Sequence, residues 1–259
     1  MAFRAGTQVN KIKRGCLSFI PECVSDKAML RVFRIMGDLD GYSLRRAVSD
    51  YGKNLKVWKS IRASVCGGDG FIEDQKALGQ IRFGVCSAAY SGCEVIAVYN
   101  ALNDIFGKNK KVSLPKLIMY FELNGMTMRG RFGTSPEAVE EYLICRGFST
   151  CAVTDADKYD DCGSRFHTFI LMMYNDRGDI SKGVHTVAIT KEMCSLEEND
   201  MTAGETAQPG TVSGECYIMH NAGGRKMPPC DSIGECVMKY SAQARPIMLI
   251  GISRMQKQT

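Results

Sequence analysis

The sequence predicts an α+β fold, because helical patterns come first along the chain and strand-like apolar runs come later. The residues that follow Cys93, VIAVYNALNDIFG, place apolar side chains at the spacing of a buried helix. Residues 169–174 and 246–252 are instead continuous apolar runs bounded by polar or turn residues. The two kinds of element do not alternate as a parallel sheet with crossover helices would require.

The N-terminal part, residues 1–83, is predicted to be a helical extension. Ser25 and Ser43 stand as N-caps before KAMLRVFRIM and LRRAVSDYG, and NLKVWKSIRAS carries apolar residues at helical spacing: Leu55, Val57, Trp58 and Ile61. No linker rich in proline or serine precedes residue 84, which favours packing of this extension against the main domain, residues 84–259.

The main domain is predicted to begin with three helices and to continue as a sheet. Glycine and proline positions mark helices over 93–106, 114–124 and 136–146. Strands are predicted over 169–174, 184–190, 216–221 and 246–252, with a polar loop over 199–214 and a short helix over 232–240.

Composition excludes several classes of function. The 259 residues are 45% hydrophobic and 24% charged, which is typical of a globular domain, and the net charge of +5 is dispersed rather than gathered in the stripe that nucleic-acid binding requires. There is no continuous apolar stretch long enough for a membrane span or a signal peptide. We therefore expect a cytoplasmic protein with no nucleic-acid or membrane partner.

Cysteine spacing argues against zinc and disulfides. The chain has twelve cysteines but no C-x-x-C pair. Most of them are expected to be reduced, buried and small apolar side chains, as in cytosolic proteins. No metal site and no cofactor are predicted.

Cys93 occupies the position at which a nucleophile would be built. In Tyr90-Ser91-Gly92-Cys93-Glu94 a glycine turn delivers the cysteine to the first turn of an apolar helix. The unpaired N–H groups and the dipole of a helix start favour a thiolate, so we expect the pKa of this thiol to be low.

A cysteine nucleophile needs a base, and the chain offers three histidines: His167, His185 and His220. His185 follows a glycine at the start of an apolar strand, where a side chain can project from the sheet end into a cleft. Asn221 is a candidate orienter, since its side-chain oxygen can accept from one imidazole nitrogen. Because neighbouring residues of a strand face opposite sides, His220 would then point away from the cleft.

The motifs SGCEVIAVYNALN, SLPKLIMYFELNGM, FGTSPEAVEEYLICRG, GVHTVAIT and CYIMHNA, taken in order, resemble a papain-like cysteine peptidase of the bacterial double-glycine leader-peptidase group. The resemblance covers roughly residues 84–253. It implies a papain-like α+β fold in which a cysteine-bearing helix packs on an antiparallel sheet. It also implies that Cys93 is the nucleophile, His185 the base and Asn221 the orienting residue.

Two positions depart from that family. Members commonly carry a glutamine about six residues before the cysteine, as an oxyanion donor, whereas Gln80 lies thirteen residues before Cys93. Ser87 and Tyr90 are the candidate donors here, beside the Cys93 N–H, and losing one donor typically costs about a hundredfold in rate. The second departure is Glu94, at a position where many relatives have glycine. Its carboxylate would oppose thiolate formation if it faced Cys93.

The predicted function is hydrolysis of a peptide or another amide through a thioester on Cys93. Three alternatives stay open, of which one is a structural or interaction protein whose Cys93 is inert. An acyltransferase would use the same thioester with a different acceptor, and a non-catalytic binding protein would share the fold without the chemistry.

Overall fold

The structure is a computed structural model that describes residues 42–107, 112–179, 183–196, 212–224 and 227–254, together with the single residues Ala28, Arg31 and Ile35. The predicted helix over KAMLRVFRIM falls outside the described residues, apart from those three single positions, which are helical.

The helices confirm most of the predicted helical segments. They are α1 (Leu44–Val65), α2 (Ala88–Ser91), α3 (Cys93–Phe106), α4 (Leu114–Leu123), α5 (Pro136–Cys145), α6 (Tyr159–Arg165) and α7 (Ile233–Tyr240). Short 3₁₀ turns lie between them at Gln75–Leu78, Met128–Gly130 and Ala156–Lys158. The short helices α2 and α6 were not predicted.

Helix α1 replaces the two helices predicted over this segment. Its buried side chains, Ala47, Asp50, Asn54 and Trp58, keep one face across Gly52 at steps of three and four residues. Burial of this continuous face of the helix therefore outweighs the cost of a glycine in the helix interior. Ser43 precedes the helix in an extended conformation, but its side chain makes no capping hydrogen bond.

The strands form a five-stranded antiparallel sheet and a separate two-stranded hairpin. The hairpin strands are β1 (Arg82–Phe83) and β2 (Cys86–Ser87). The sheet strands are β3 (Phe148–Val153), β4 (Thr168–Tyr174), β5 (Val184–Leu196), β6 (Val212–His220) and β7 (Arg245–Arg254), in the order β3-β7-β4-β5-β6. The predicted loop over 199–214 is wrong for residues 212–214, which belong to β6. Residues 199–211 of that loop lie outside the described residues.

The strand β3 was missed because it lies at a sheet edge. Its sequence FSTCAV carries partly exposed and polar residues, so it lacks the continuous apolar run of a central strand.

The main sheet has a hydrophobic core on each face. Alternate residues of β4 divide between them: Ile170 and Met172 join the core that contains α3, whereas Phe169 and Leu171 join the core that contains α6 and α7. The predicted α+β fold, with a cysteine-bearing helix packed on an antiparallel sheet, is therefore confirmed.

Residues before position 84 contribute to the same core. Trp58 of α1 packs edge-on against Tyr99 of α3 with ring centroids 5.7 Å apart, and Ile72, Leu78 and Ile81 are fully buried beside them. The domain boundary at residue 84 stays a prediction.

One pair of cysteines is an exception to the expectation that most of the thiols are reduced. Cys194 on β5 and Cys216 on β6 form a disulfide, with their Cα atoms 5.8 Å apart. These residues are diagonal neighbours on adjacent strands, a distance that a disulfide can bridge. The other described cysteines do not take part in a disulfide: Cys66, Cys86, Cys93, Cys145, Cys151, Cys162, Cys230 and Cys236. None of the described helices is both long and apolar enough to cross a membrane.

Candidate active site

The turn at Gly92 sets the position of Cys93. A side chain at residue 92 would bring its Cβ within 2.7 Å of the Ala88 carbonyl oxygen, so glycine is required where α2 gives way to α3. Cys93 then becomes the first residue of α3 and is buried against the sheet.

The Cys93 thiol lies beside β5 at the level of His185. Its Sγ is 4.0 Å from the carbonyl oxygen of Val184 and receives a hydrogen bond from the backbone of Thr186, so it is flanked by both neighbours of the histidine. The pairing between β5 and β6 begins only at Ala188, so residues 184–187 of β5 extend past the end of β6. The backbone of β5 on either side of His185 therefore lies beside the thiol, although the two residues are 92 positions apart in sequence.

Glu94 faces the nucleophile. The thiol donates a hydrogen bond to Glu94 Oε2 at 3.4 Å. Burial raises the pKa of Cys93 well above its ordinary value, and the adjacent Glu94 carboxylate raises it further. The predicted low pKa is therefore wrong, because desolvation outweighs the helix dipole at this buried position.

His185 is held by the main chain of Asn221. Its Nε2 lies 2.8 Å from the Asn221 carbonyl oxygen, which can only accept, so Nε2 carries the proton and Nδ1 of the neutral ring keeps its lone pair. Burial lowers the pKa of His185. The phenol ring of Tyr240 stacks on the imidazole, with ring centroids 5.6 Å apart and planes within 12°.

Asn221 contacts His185, but through a different group from the one predicted. Its side chain is bonded to Gln75 instead: the Gln75 N–H donates to Asn221 Oδ1 at 3.1 Å, and Asn221 Nδ2 donates to Gln75 Oε1 at 3.2 Å. Asn221 lies just past the end of β6 with φ at 63°, a left-handed conformation that asparagine tolerates. This turn directs its carbonyl group toward the imidazole.

Glu73 fixes the residue pair at the end of β6. One carboxylate oxygen is 2.6 Å from His220 Nδ1, and the other accepts the Asn221 N–H at 3.0 Å. His220 Nε2 is also bonded to the Thr190 hydroxyl at 3.0 Å, and its ring stacks on Phe71. His220 is thus buried and fully bonded, as a structural residue would be.

The remaining predicted positions are His167, Ser87 and Tyr90. His167 is exposed at the opposite end of the β4–β5 ladder from His185. Ser87 is half-buried immediately before α2, and Tyr90 is exposed on α2.

Three residues at the site were missed by the sequence analysis: Glu73, Gln75 and Tyr240. Gln75 lies eighteen residues before Cys93, yet its Nε2 donates to the carbonyl of Ala89, four residues before Cys93, at 3.1 Å. Its separation from the cysteine differs from the spacing expected in the family, so no local signal marked it.

Comparison with known proteins gives a fold neighbour only. No family model and no curated protein sequence matches the chain. Among solved structures, the chain is similar to the peptidase domain of Streptococcus ComA, a bi-functional ABC transporter involved in quorum sensing. The TM-score is 0.37 and the identity 12%, over 63% of this chain and 91% of that domain.

Proposed function

We propose that the chain is a cysteine peptidase or amidase in which Cys93 is the nucleophile and His185 the base. The observation that supports this most strongly is the hydrogen bond from His185 Nε2 to the Asn221 carbonyl, at 2.8 Å. It leaves Nδ1 as the acceptor on a ring whose strand neighbours flank the Cys93 thiol.

The thiol and the imidazole are both neutral in the resting site. Attack therefore proceeds by general-base catalysis: Sγ forms a bond to the amide carbon while its proton passes to His185 Nδ1. The protonated imidazole then donates to the amine as the C–N bond breaks, which leaves a thioester on Cys93. Water, deprotonated by the same nitrogen, hydrolyses the thioester and restores the thiol.

The oxyanion of each tetrahedral intermediate needs donors near Cys93. The backbone N–H of Cys93, in the first turn of α3, has no acceptor within its own helix. The Gln75 amide has two N–H groups, of which one donates to Ala89. We assign the second donor to Gln75 and retain Ser87 and Tyr90 as the candidates from the sequence.

A second candidate function is supported by the contact between Cys93 and Glu94. In a non-catalytic binding protein the thiol would remain protonated and bonded to the carboxylate, as it is here at 3.4 Å. In the peptidase the reactivity of Cys93 depends on His185, whereas in the binding protein it does not.

Covalent labelling tests the proposed function. The full chain is treated with a peptidyl chloromethyl ketone, and the alkylated cysteines are mapped by mass spectrometry. Cys93 is expected to react faster than the partly exposed Cys86 and Cys151. His185→Ala is expected to slow that reaction by roughly a hundredfold or more, since the base is lost.

His167→Ala is the matched control, because it removes an exposed histidine at the far end of the sheet. It should leave the labelling rate of Cys93 unchanged. Equal rates in the wild type and in His185→Ala would contradict the catalytic role and favour the binding protein. Mass measurement of the acyl group on Cys93, with water or an added amine as acceptor, separates hydrolysis from acyl transfer.

A further inference from the structure

A small cleft adjoins the reacting sulfur on the side of Glu94. Its walls come from α3, the segment before α5, and strands β4 and β5, and the space between them has room for about one water molecule. Glu94 and Val184, which line it, also contact the Cys93 thiol, so a molecule in the cleft lies next to the nucleophile. The residues that line the cleft are Glu94, Phe132, Thr134, Pro136, Met172, Val184 and Thr186.

Two hydroxyl groups in the cleft have no hydrogen-bond partner. They belong to Thr134 and Thr186, which are 3% and 0% exposed, and neither hydroxyl is bonded to any group in the described part of the chain. Since a buried hydroxyl is normally bonded, these two groups point to a polar molecule between them. The volume of the cleft limits that molecule to water.

The Glu94 carboxylate loses a hydrogen-bond donor when Cys93 is acylated. At rest it accepts from the Cys93 thiol, at 3.4 Å, from the Thr134 N–H and from its own N–H. A thioester has no proton on sulfur, so acylation removes the first of these donors. The buried carboxylate therefore needs another donor during the lifetime of the thioester.

Gly133 keeps the segment before α5 against this carboxylate. A Cβ at residue 133 would lie 2.6 Å from both carboxylate oxygens of Glu94, and φ there is +69°. Glycine at the point of closest approach allows the Thr134 N–H to reach the carboxylate.

We infer that this cleft binds the water molecule that hydrolyses the thioester on Cys93, and that Glu94 accepts the proton which this water loses. The inference rests on the proposed function and replaces His185 by Glu94 in one step only, the deprotonation of water. Glu94 lines the cleft and contacts the sulfur, whereas His185 does not line the cleft. Burial raises the pKa of Glu94 to about 7, which suits a group that accepts a proton near neutral pH.

The hydrogen-bonding capacity of water matches the groups in the cleft. Water has two protons and two lone pairs. It can donate to Glu94 Oε2 and to one threonine hydroxyl, and it can accept from the other hydroxyl. One lone pair is then left, and in a molecule that adjoins the sulfur this lone pair can attack the thioester carbon.

The hydrolysis step balances in bonds and protons. The water oxygen forms a bond to the thioester carbon while one of its protons passes to Glu94 Oε2. The C–S bond then breaks, and the sulfur keeps the electron pair and takes the proton from Glu94. The products are a free carboxylic acid, the Cys93 thiol and an ionised Glu94, which restores the contact found at rest.

The small volume of the cleft also selects the acceptor of the acyl group. An amine that carries an organic group exceeds the space of one water molecule, so only water reaches the thioester from this side. Hydrolysis is therefore favoured over acyl transfer to an amine.

The test measures acylation and hydrolysis separately. The full chain is mixed with a peptidyl p-nitrophenyl ester. Release of nitrophenol gives the rate of acylation, and intact mass spectrometry follows the decay of acyl-Cys93. Glu94→Gln should slow that decay by about a hundredfold or more, since the base is lost. Acylation should become faster in the same variant, because the charge that opposes removal of the thiol proton is gone.

The two threonines give a second pair of variants. Thr134→Val and Thr186→Val should each slow the decay of acyl-Cys93 by roughly tenfold, as expected for one lost hydrogen bond to the reacting water. Thr150→Val is the matched control, because Thr150 is a half-buried threonine of β3, bonded to Glu140 at 3.2 Å and outside the cleft. It should leave the decay unchanged.

Three results would overturn the inference. They are an unchanged decay of acyl-Cys93 in Glu94→Gln, an unchanged decay in both threonine variants, and an equal fall of acylation and hydrolysis in Glu94→Gln. The last result would mean that Glu94 acts on the structure of the site alone.

The failure of this inference can be told apart from the failure of the proposed function. If no ester acylates Cys93, the proposed function is wrong and the hydrolytic role of the cleft falls with it. If Cys93 is acylated, a crystal structure that shows ordered water decides on the site. One water bonded to Thr134 and Thr186, and lost in Thr186→Val, would support the inference. A cleft without ordered water would overturn it, although the proposed function would stand.

Discussion

The polar groups around His220 and those around Cys93 differ in how completely they are bonded. At the end of β6, His220 uses both ring nitrogens, on Glu73 and Thr190, and its ring is stacked on Phe71. At the start of β5, His185 uses one nitrogen, and Cys93 is bonded to a carboxylate that has no cation among the described residues.

This difference in bonding shows which of the two histidines, His185 or His220, has a ring nitrogen available to act as a base. A fully bonded imidazole holds its surroundings in place, and removing its proton acceptor or donor costs stability. An imidazole with one free nitrogen can exchange a proton with a bound group. Glu73 links the two regions, because it bonds both His220 and the Asn221 N–H.

The largest expected effect is the loss of stability in His220→Ala. Removing the ring leaves one Glu73 oxygen and the Thr190 hydroxyl without that partner and opens a cavity beside Phe71, which should lower the free energy of unfolding by about 3 kcal/mol. His185→Ala, which breaks one hydrogen bond, should lower it by about 1 kcal/mol. Urea denaturation of both variants measures this, and equal losses would remove the distinction between the two regions.

The next effect is a pH dependence caused by the unpaired Glu94. Its pKa is raised from 4.5 to about 7 in the folded chain, so the folded state binds more protons between these values. Stability gained from this group is complete below about pH 4.5 and is lost as the pH rises through about 7. Between these two pH limits the contribution of Glu94 to the free energy of unfolding changes by roughly 3 kcal/mol.

Denaturation of Glu94→Gln between pH 4.5 and 7.5 tests that dependence. The difference in unfolding free energy between the wild type and the variant should change with pH in the stated direction. Glu215→Gln is a suitable comparison, since Glu215 is half-exposed and paired with Lys191. A wild type whose stability changes with pH in parallel with that of Glu94→Gln would contradict the prediction.

A smaller effect is expected from Glu73→Gln, which acts on His185 through Asn221. An amide cannot accept from both the Asn221 N–H and the His220 ring, so the carbonyl of Asn221 loses part of its support. We expect kcat for an amide substrate to fall by about tenfold with little change in KM.

The pH profile distinguishes this positioning role from a merely structural one. If Glu73 positions Asn221, the acid limb of the kcat profile should move in Glu73→Gln, because the bond to His185 weakens. A fall in activity that only follows the unfolded fraction, with an unchanged profile, would assign Glu73 to stability alone.

The smallest effect is expected from Tyr240→Phe. The phenol hydroxyl donates to Asn175 Oδ1 at 3.0 Å, while the ring itself stacks on His185. Loss of the hydroxyl should cost about 1 kcal/mol of stability and leave the labelling rate of Cys93 unchanged. A large change in labelling would mean that the hydroxyl, and not only the ring, acts on the site; thermal denaturation and mass spectrometry supply the two readouts.

Much of the fold could be predicted because its signals are local. The glycine before Cys93 and the proline at position 136 mark helix starts, and the run at 169–174 marks a strand buried on both faces. Edge strand β3 and the merged helix α1 were mispredicted, since burial of one face, rather than residue preference, decides their limits.

The sequence by itself determined the α+β order and the candidate pair of Cys93 and His185, because a helix start and a strand start are encoded by nearby residues. Only the tertiary structure decided that the Asn221 carbonyl, rather than its side chain, bonds to His185. It also decided that Gln75 and Glu73, which precede Asn221 by 146 and 148 residues, hold Asn221 in place. It also decided the high pKa of Cys93. Desolvation and hydrogen bonding depend on which distant segments pack around a group, and no local pattern records that.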